Sequence, residues 1–187
     1  VFNLVRETLP CARIVGFRGI LNSTTNYILS RMEQGEDPES ALATMREAGI
    51  AEADASLDLD GSDAAAKTAA LANVLLEART TPREIKRRGI TDLSVGDMNV
   101  ALKQERRIRL VARATRSGDG LDAEVGPVSV PVTDLLATLK GTSNALILTT
   151  DLAGELAVVE YNPTLTHTAY AVLSDLISVV RRPAVPP

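Results

Sequence analysis

"GFRGILNSTTNYILSRMEQG", residues 16–35, decides how the chain is read, because its hydrophobic period changes halfway. Its first part belongs to "ARIVGFRGIL", which is β-branched, bounded by turn chemistry and predicted as a strand. In the second part Tyr27, Ile28, Leu29 and Met32 return at the spacing of a buried helix face. Asn22, Ser23 or Thr24 can cap that helix and Gly35 can close it.

Outward from this stretch the pattern continues. "NLVRETLP" predicts a short helix stopped by Pro10. "DPESALATMREAG" carries a full helix start, with Asp37 as N-cap, Pro38 in the first position and Glu39 in the first turn; Gly49 ends it. "SDAAAKTAALANVLLEA", from Ser62, is a strong Ala- and Leu-rich helix, and "TPREIKRRGI" predicts a further short one. Strands follow over residues 107–115 and in "LDAEVGPVSVP". "VTDLLATLKGTSNALILTTD" reads helix, turn, strand, and "GELAVVEYNP" reads turn, strand, stop. Asn162 and Pro163 predict the start of a closing helix over 163–182, with an apolar stripe of Leu165, Ala169, Val172, Leu173, Leu176 and Val180. Residues 183–187 read as a loose tail. Helices first, then strands with helices between them, predict an α+β fold: an α/β-type mixed sheet packed against helices.

The composition is that of one globular domain: 187 residues, 45% hydrophobic and 24% charged. With 3% aromatics and no Trp, the core must be built from Leu, Val, Ile and Ala. A net charge of -4 and scarce aromatics leave no footprint for nucleic acid. "EIKRRG" and "KQERRIR" read as solvated faces or helix ends. Cys11 is the single cysteine, so no internal disulfide can form, and a reducing, cytoplasmic compartment is expected. No signal peptide and no apolar run of membrane-spanning length is present. The chain opens on Val1 directly into a predicted helix, as a piece of a longer polypeptide would.

The second stretch that asks for an explanation is "EADASLDLDGSDAAAK", residues 52–67, where Glu52, Asp54, Asp58, Asp60 and Asp63 precede Lys67. As a calcium loop counted from Ser56, it sets Asp58 and Asp60 at the third and fifth positions and Gly61 at the sixth, but Lys67 stands where a bidentate glutamate is needed. As a structural turn, Gly61 bends the chain, Ser62 caps a helix, and Asp63 and Lys67 pair four residues apart. As a substrate site, carboxylates on a loop take the ammonium of an amino acid. Lys67, disfavoured by the dipole so near a helix start, then takes a carboxylate or hands a proton to a carbonyl. His167 and the tyrosines Tyr27 and Tyr170 read as surface, core or interface residues rather than ligands.

"GFRGILNSTTNYILSRMEQG" followed by "GIAEADASLDLDGSDAAAK" resembles the substrate domain of homoserine dehydrogenases, which carry a "GILNGTTNYIL" stretch and then an "AEADP…D…G.DAA.K" segment. "AYAVLSDLISV" resembles the closing helix of that family. The resemblance implies NAD- or NADP-dependent interconversion of L-homoserine and L-aspartate 4-semialdehyde, on the branch towards threonine, methionine and isoleucine. It implies a substrate-binding and dimerisation domain over residues 1–182, paired as a homodimer through strands 107–115 and 144–160. By motif match, Glu52 binds the substrate ammonium, Asp58 is the second acidic residue of the loop, and Thr24 faces substrate or nicotinamide. Asp63 bonds the substrate hydroxyl or its lysine partner, and Lys67 is the acid/base or clamp. Three features depart from the family. The GxGxxG turn of its preceding dinucleotide domain, and a lysine of that part, have no counterpart in these residues. Ser23 stands where the family has glycine, and Tyr161-Asn162-Pro163-Thr164 stands where it has a glycine-rich loop. These departures define an alternative: a homologous amino-acid-binding module that has lost hydride transfer. A third reading is a structural module whose acidic segment is only a capped turn.

Overall fold

A computed structural model of the chain describes residues 1–49, 51, 54–118 and 120–181. In chain order these form α1 (Phe2–Thr8), β1 (Ile14–Ile20), α2 (Ser23–Met32), α3 (Pro38–Glu47), α4 (Ser56–Leu59), α5 (Ser62–Leu75) and β2 (Lys86–Arg87). There follow α6 (Val95–Lys103), β3 (Arg106–Ser117), β4 (Gly120–Pro131), α7 (Leu135–Thr138), β5 (Asn144–Thr150), β6 (Glu155–Glu160) and α8 (Leu165–Arg181). The strands make one sheet in the order β2-β4-β3-β1-β5-β6. All neighbours run antiparallel except β2 and β4, so the sheet is mixed, as the element order predicts.

The opening stretch lies at the centre of this design. β1 pairs with β3 on one side and β5 on the other, and leads through Leu21 and Asn22 into α2. Alternation along β3 splits the core. Leu110, Ala112 and Ala114 face the layer of α2, α3 and α5, with Phe17, Ile28, Leu29 and Met32. Val111 faces the opposite side, with Ile20, Ala145 and Ile147 beneath Leu136 and Leu139 of the α7 segment. The alanines of α5 let it lie close on the sheet: Ala64, Ala65, Ala69 and Ala72 are buried. Beyond α7 the second face carries ion pairs, Arg18 with Asp134 at 2.8 Å and Arg113 with Glu124 at 2.9 Å.

Several local expectations give way to tertiary structure. Residues 81–90 form a turn and the short strand β2 instead of a helix. Ile85 is buried, the Arg88 amide donates to the Val125 carbonyl and the Ile90 amide to the Leu59 carbonyl, so sheet and loop partners replace helical ones. Gly89 makes this possible: a Cβ there would lie 2.1 Å from the Leu59 carbonyl oxygen. Ser62 is the first residue of α5 rather than its cap; Asp60 accepts from its amide and hydroxyl, both at 2.8 Å. Asn162 does not cap α8, which starts at Leu165; its amide donates to the Ser143 hydroxyl at 3.1 Å. The α8 stripe is exposed along its length, and α8 meets α1 through Asn3, hydrogen-bonded to Asp175 at 3.2 Å. Tyr170 is exposed with it, whereas Tyr27 packs against the core. Residues 182–187 lie outside the described residues.

Candidate active site

The site is assembled where three elements meet: the β1–α2 junction, α4 and the first turns of α5. Asn22 caps α2. Its side-chain oxygen accepts from the Thr25 amide at 2.8 Å and from the Thr25 hydroxyl at 3.0 Å. That leaves its amide nitrogen free to donate twice, to Asp58 Oδ1 at 2.7 Å and to Asp63 Oδ2 at 2.9 Å. Asp63 Oδ2 also takes the Lys67 ammonium at 2.7 Å, and the same ammonium donates to the Leu21 carbonyl at 3.0 Å. The i,i+4 pair expected on α5 is therefore present, but it is one half of a network that reaches back to α2.

Gly61 makes the turn that sets this spacing. It adopts φ +82° between α4 and α5, a left-handed conformation open to glycine without strain. Asp60 turns away from the cluster to Ser62 and, at 3.5 Å, to Arg87. Partial desolvation opposes its ionisation, but the Ser62 hydroxyl and amide and the Arg87 guanidinium outweigh it and hold its pKa below the ordinary carboxylate value. Asp54 accepts from the Ser56 amide at 2.9 Å, which lowers its pKa too. Among the described residues no three His, Cys, Asp or Glu side chains are grouped to hold a metal ion.

Lys67 borders a cavity of about 470 Å³ whose walls include Phe2, Leu21, Leu71, Asn144 and Leu146. Its side chain is 51% exposed, so the ammonium is reachable from the cavity, while Asp63, 32% exposed, holds it without lining that space. The space suits a small amino acid and one flat ring, with a mainly apolar wall and a few polar groups. A flat ring can lie on that apolar wall, and the described residues offer no glycine-rich phosphate cradle. A larger cavity, about 510 Å³, lies elsewhere, between Leu76–Thr80 and the β3–β4 hairpin, and contains none of the expected site residues.

Of the expected residues, Asp58, Asp63 and Lys67 are brought together. Thr24 is buried in the first turn of α2, and among the described residues it bonds to none of these three. Glu52 lies outside the described residues. Ser23 turns its hydroxyl to the Asn144 amide of β5 at 2.9 Å. His167 accepts the Thr164 amide at 3.0 Å and so serves the start of α8. Sequence reasoning missed the Asn22 side chain as a hub and Asn144 as a neighbour of Ser23. The NxxT spacing of Asn22 and Thr25 signalled only a cap.

The family profile described as homoserine dehydrogenase matches residues 1–177. A homoserine dehydrogenase of Methanocaldococcus jannaschii is 41% identical over 96% of this chain and 52% of its own length. An NAD(+)-dependent homoserine dehydrogenase of Pseudomonas canavaninivorans is 36% identical over 96% of the chain and 51% of its own. The chain spans about half the length of these curated relatives. Among solved structures, a putative homoserine dehydrogenase from Archaeoglobus fulgidus is 37% identical, with a TM-score of 0.86 over 96% of this chain and 54% of that one. The homoserine dehydrogenase from Thiobacillus denitrificans is 31% identical, with a TM-score of 0.89 over 96% and 42%.

Proposed function

The chain belongs to the homoserine dehydrogenase family, and from that premise we propose that it supplies the substrate site for interconverting L-homoserine and L-aspartate 4-semialdehyde. The observation that carries this reading is Lys67, held between the Asp63 carboxylate and the Leu21 carbonyl at the edge of an apolar cavity. In the reducing direction the Lys67 ammonium donates its proton to the aldehyde oxygen, where negative charge develops. In the oxidising direction Lys67 takes the hydroxyl proton back. Asp63 orients the lysine, Asp58 and Glu52 receive the substrate ammonium, and Thr24 lines the approach. The nicotinamide, when bound, carries the hydride, and this chain contributes Leu21, Leu71 and Lys67 to that end of the site. NAD or NADP, bound mainly by a preceding domain, is the cofactor of the proposal.

The rest of the reading follows the resemblance. We place residues 1–182 in one substrate-binding and dimerisation domain, working in the cytoplasm in the branch that leads to threonine, methionine and isoleucine. The open sheet face around Arg18 and Arg113 is the surface proposed to pair in a homodimer. Among the described residues no helix is long and apolar enough to cross a membrane.

The test is the appearance of reduced nicotinamide with L-homoserine, catalysed by the native polypeptide with whatever it carries beyond these residues. Lys67→Ala is expected to lower kcat by about 10²- to 10⁴-fold, the usual contribution of a positioned acid/base. A variant with parental kcat would end the assignment of Lys67. If the parent binds homoserine without turnover, the non-catalytic amino-acid-binding module is the correct reading; Ser23, engaged with Asn144 beside the cavity, is the feature that favours it.

A further inference from the structure

We propose that Asn22 is the positioning residue of this site: its side-chain amide sets Asp58 and Asp63 relative to each other and, through Asp63, aims Lys67. This rests on the reading of Asp63 and Lys67 as the pair that handles the proton.

The geometry leaves the amide little freedom. Asn22 is 4% exposed. Its oxygen must face the Thr25 amide and hydroxyl to cap α2, so its orientation is fixed by the helix. Both nitrogen-bound hydrogens then point the other way, one to each carboxylate. A single planar group therefore sets the distance between two like charges, with no charge of its own. Each donated bond goes to an ionised acceptor, the stronger kind of hydrogen bond. Asp63 Oδ2 receives Asn22 and Lys67 together, so moving the amide moves the anchor of the ammonium. The backbone adds to this, because the second acceptor of Lys67 is the carbonyl of Leu21, the residue before Asn22. Strand end, helix start and lysine are thus held as one unit. Sub-ångström placement of this kind governs rate: a shift of about 1 Å can cost on the order of a hundredfold.

Two substitutions separate capping from positioning. Asn22→Ser keeps a good N-cap but removes both donors. Asn22→Asp keeps the cap and the size but sets a third carboxylate against the other two. In the native polypeptide, Asn22→Ser should unfold within about 4 °C of the parent. Its kcat for homoserine should fall roughly 10- to 100-fold, with a smaller rise in KM. Asn22→Asp should fall at least as far, and it decides the question if the serine variant has melted at the assay temperature. Adding Asn22→Ser to Asp63→Asn should lower kcat by much less than Asn22→Ser does alone, because the part of its effect that runs through Asp63 is already lost and only the Asp58 contact remains. Additive losses, or parental kinetics in both Asn22 variants, would overturn the proposal. A readout free of turnover separates this from the proposed function. Acylation of Lys67 by an amine reagent, followed by peptide mass spectrometry, should be several-fold faster in Asn22→Ser than in the parent. Unchanged Lys67 labelling means that Asn22 does not hold the pair, whether or not the parent oxidises homoserine.

Discussion

α2 carries a charged cluster at each end, and the two are opposites. At its start, Asn22, Asp58, Asp63 and Lys67 form a network whose lysine and aspartate remain partly in water. At its end, Glu33 accepts from Arg109 at 2.6 Å and also from Arg107, and the side chains of Arg109 and Glu33 are 0% and 6% exposed. Arg109 further donates to the carbonyls of Leu136 and Ala137, tying α2 to the α7 segment. Burial pushes the Arg109 guanidinium below its ordinary pKa, and the Glu33 carboxylate opposes that shift. Both clusters combine carboxylates with cations. What separates them is access: one has exchanged its water for protein partners, the other keeps a face open to a cavity.

The comparison predicts where a substitution will be felt. Arg109→Met strips a nearly buried carboxylate of its buried arginine, leaving Arg107 alone to hold it, and should cost about 3 kcal/mol in denaturant unfolding. Adding Glu33→Gln should recover part of that loss. A cost below about 1 kcal/mol for Arg109→Met would mean that the cluster at the end of α2 is no more structural than the one at its start. Gly89→Ala should come next, at roughly 1–3 kcal/mol by overpacking, because the new methyl would meet the Leu59 backbone under the Asp60–Gly61 turn. Chemical denaturation also reads this one, and an unchanged midpoint would show that the turn under α5 yields freely. At the other end Lys67→Met should change stability by less than about 0.5 kcal/mol, since Asp63 keeps solvent and the Asn22 donor. The same variant should lose turnover. A stability cost for Lys67→Met above about 2 kcal/mol would erase the distinction between the two ends.

The sequence carried the start cluster better than the end cluster. Asp58, Asp63 and Lys67 lie within ten positions, so helix geometry alone places the last two on one face. Glu33 and Arg109 are 76 residues apart, and only the sheet brings them together. The strand-to-helix stretch, the Asp37 cap and the hairpin strands were legible because each has a local period or a local partner. Residues 81–90 were not, because Arg88 and Ile90 find their partners in Val125 and Leu59. The α8 stripe was legible as a stripe; periodicity says that a face is apolar, and says nothing of what covers it. Asn22 was half legible: its capping oxygen has a local partner, while its amide looks 36 and 41 residues ahead.

The smallest expected effect concerns how the helix starts respond to acid. α2 is capped by an amide, which does not titrate in this range, whereas at the starts of α5 and α6 a carboxylate holds a backbone amide, Asp60 that of Ser62 and Asp97 that of Ser94. Asp97 accepts from the Ser94 hydroxyl and amide, which lowers its pKa, and Asp60 is lowered in spite of partial desolvation. A carboxylate whose folded pKa lies below its unfolded value stabilises the fold in full above that unfolded value, 3.8 for these two. The contribution is lost as pH falls through the lower folded value. Protection factors of the Ser62 and Ser94 amides, held by Asp60 and Asp97, should therefore drop on acidification from about pH 5 to pH 3, while that of Thr25, held by the Asn22 oxygen, drops less. Exchanging the neutral cap for a titratable carboxylate in Asn22→Asp should bring Thr25 into line with the other two. Equal losses at all three amides in the parent would mean that acid unfolds the domain as one unit, and that the neutral cap confers no separate resistance on α2.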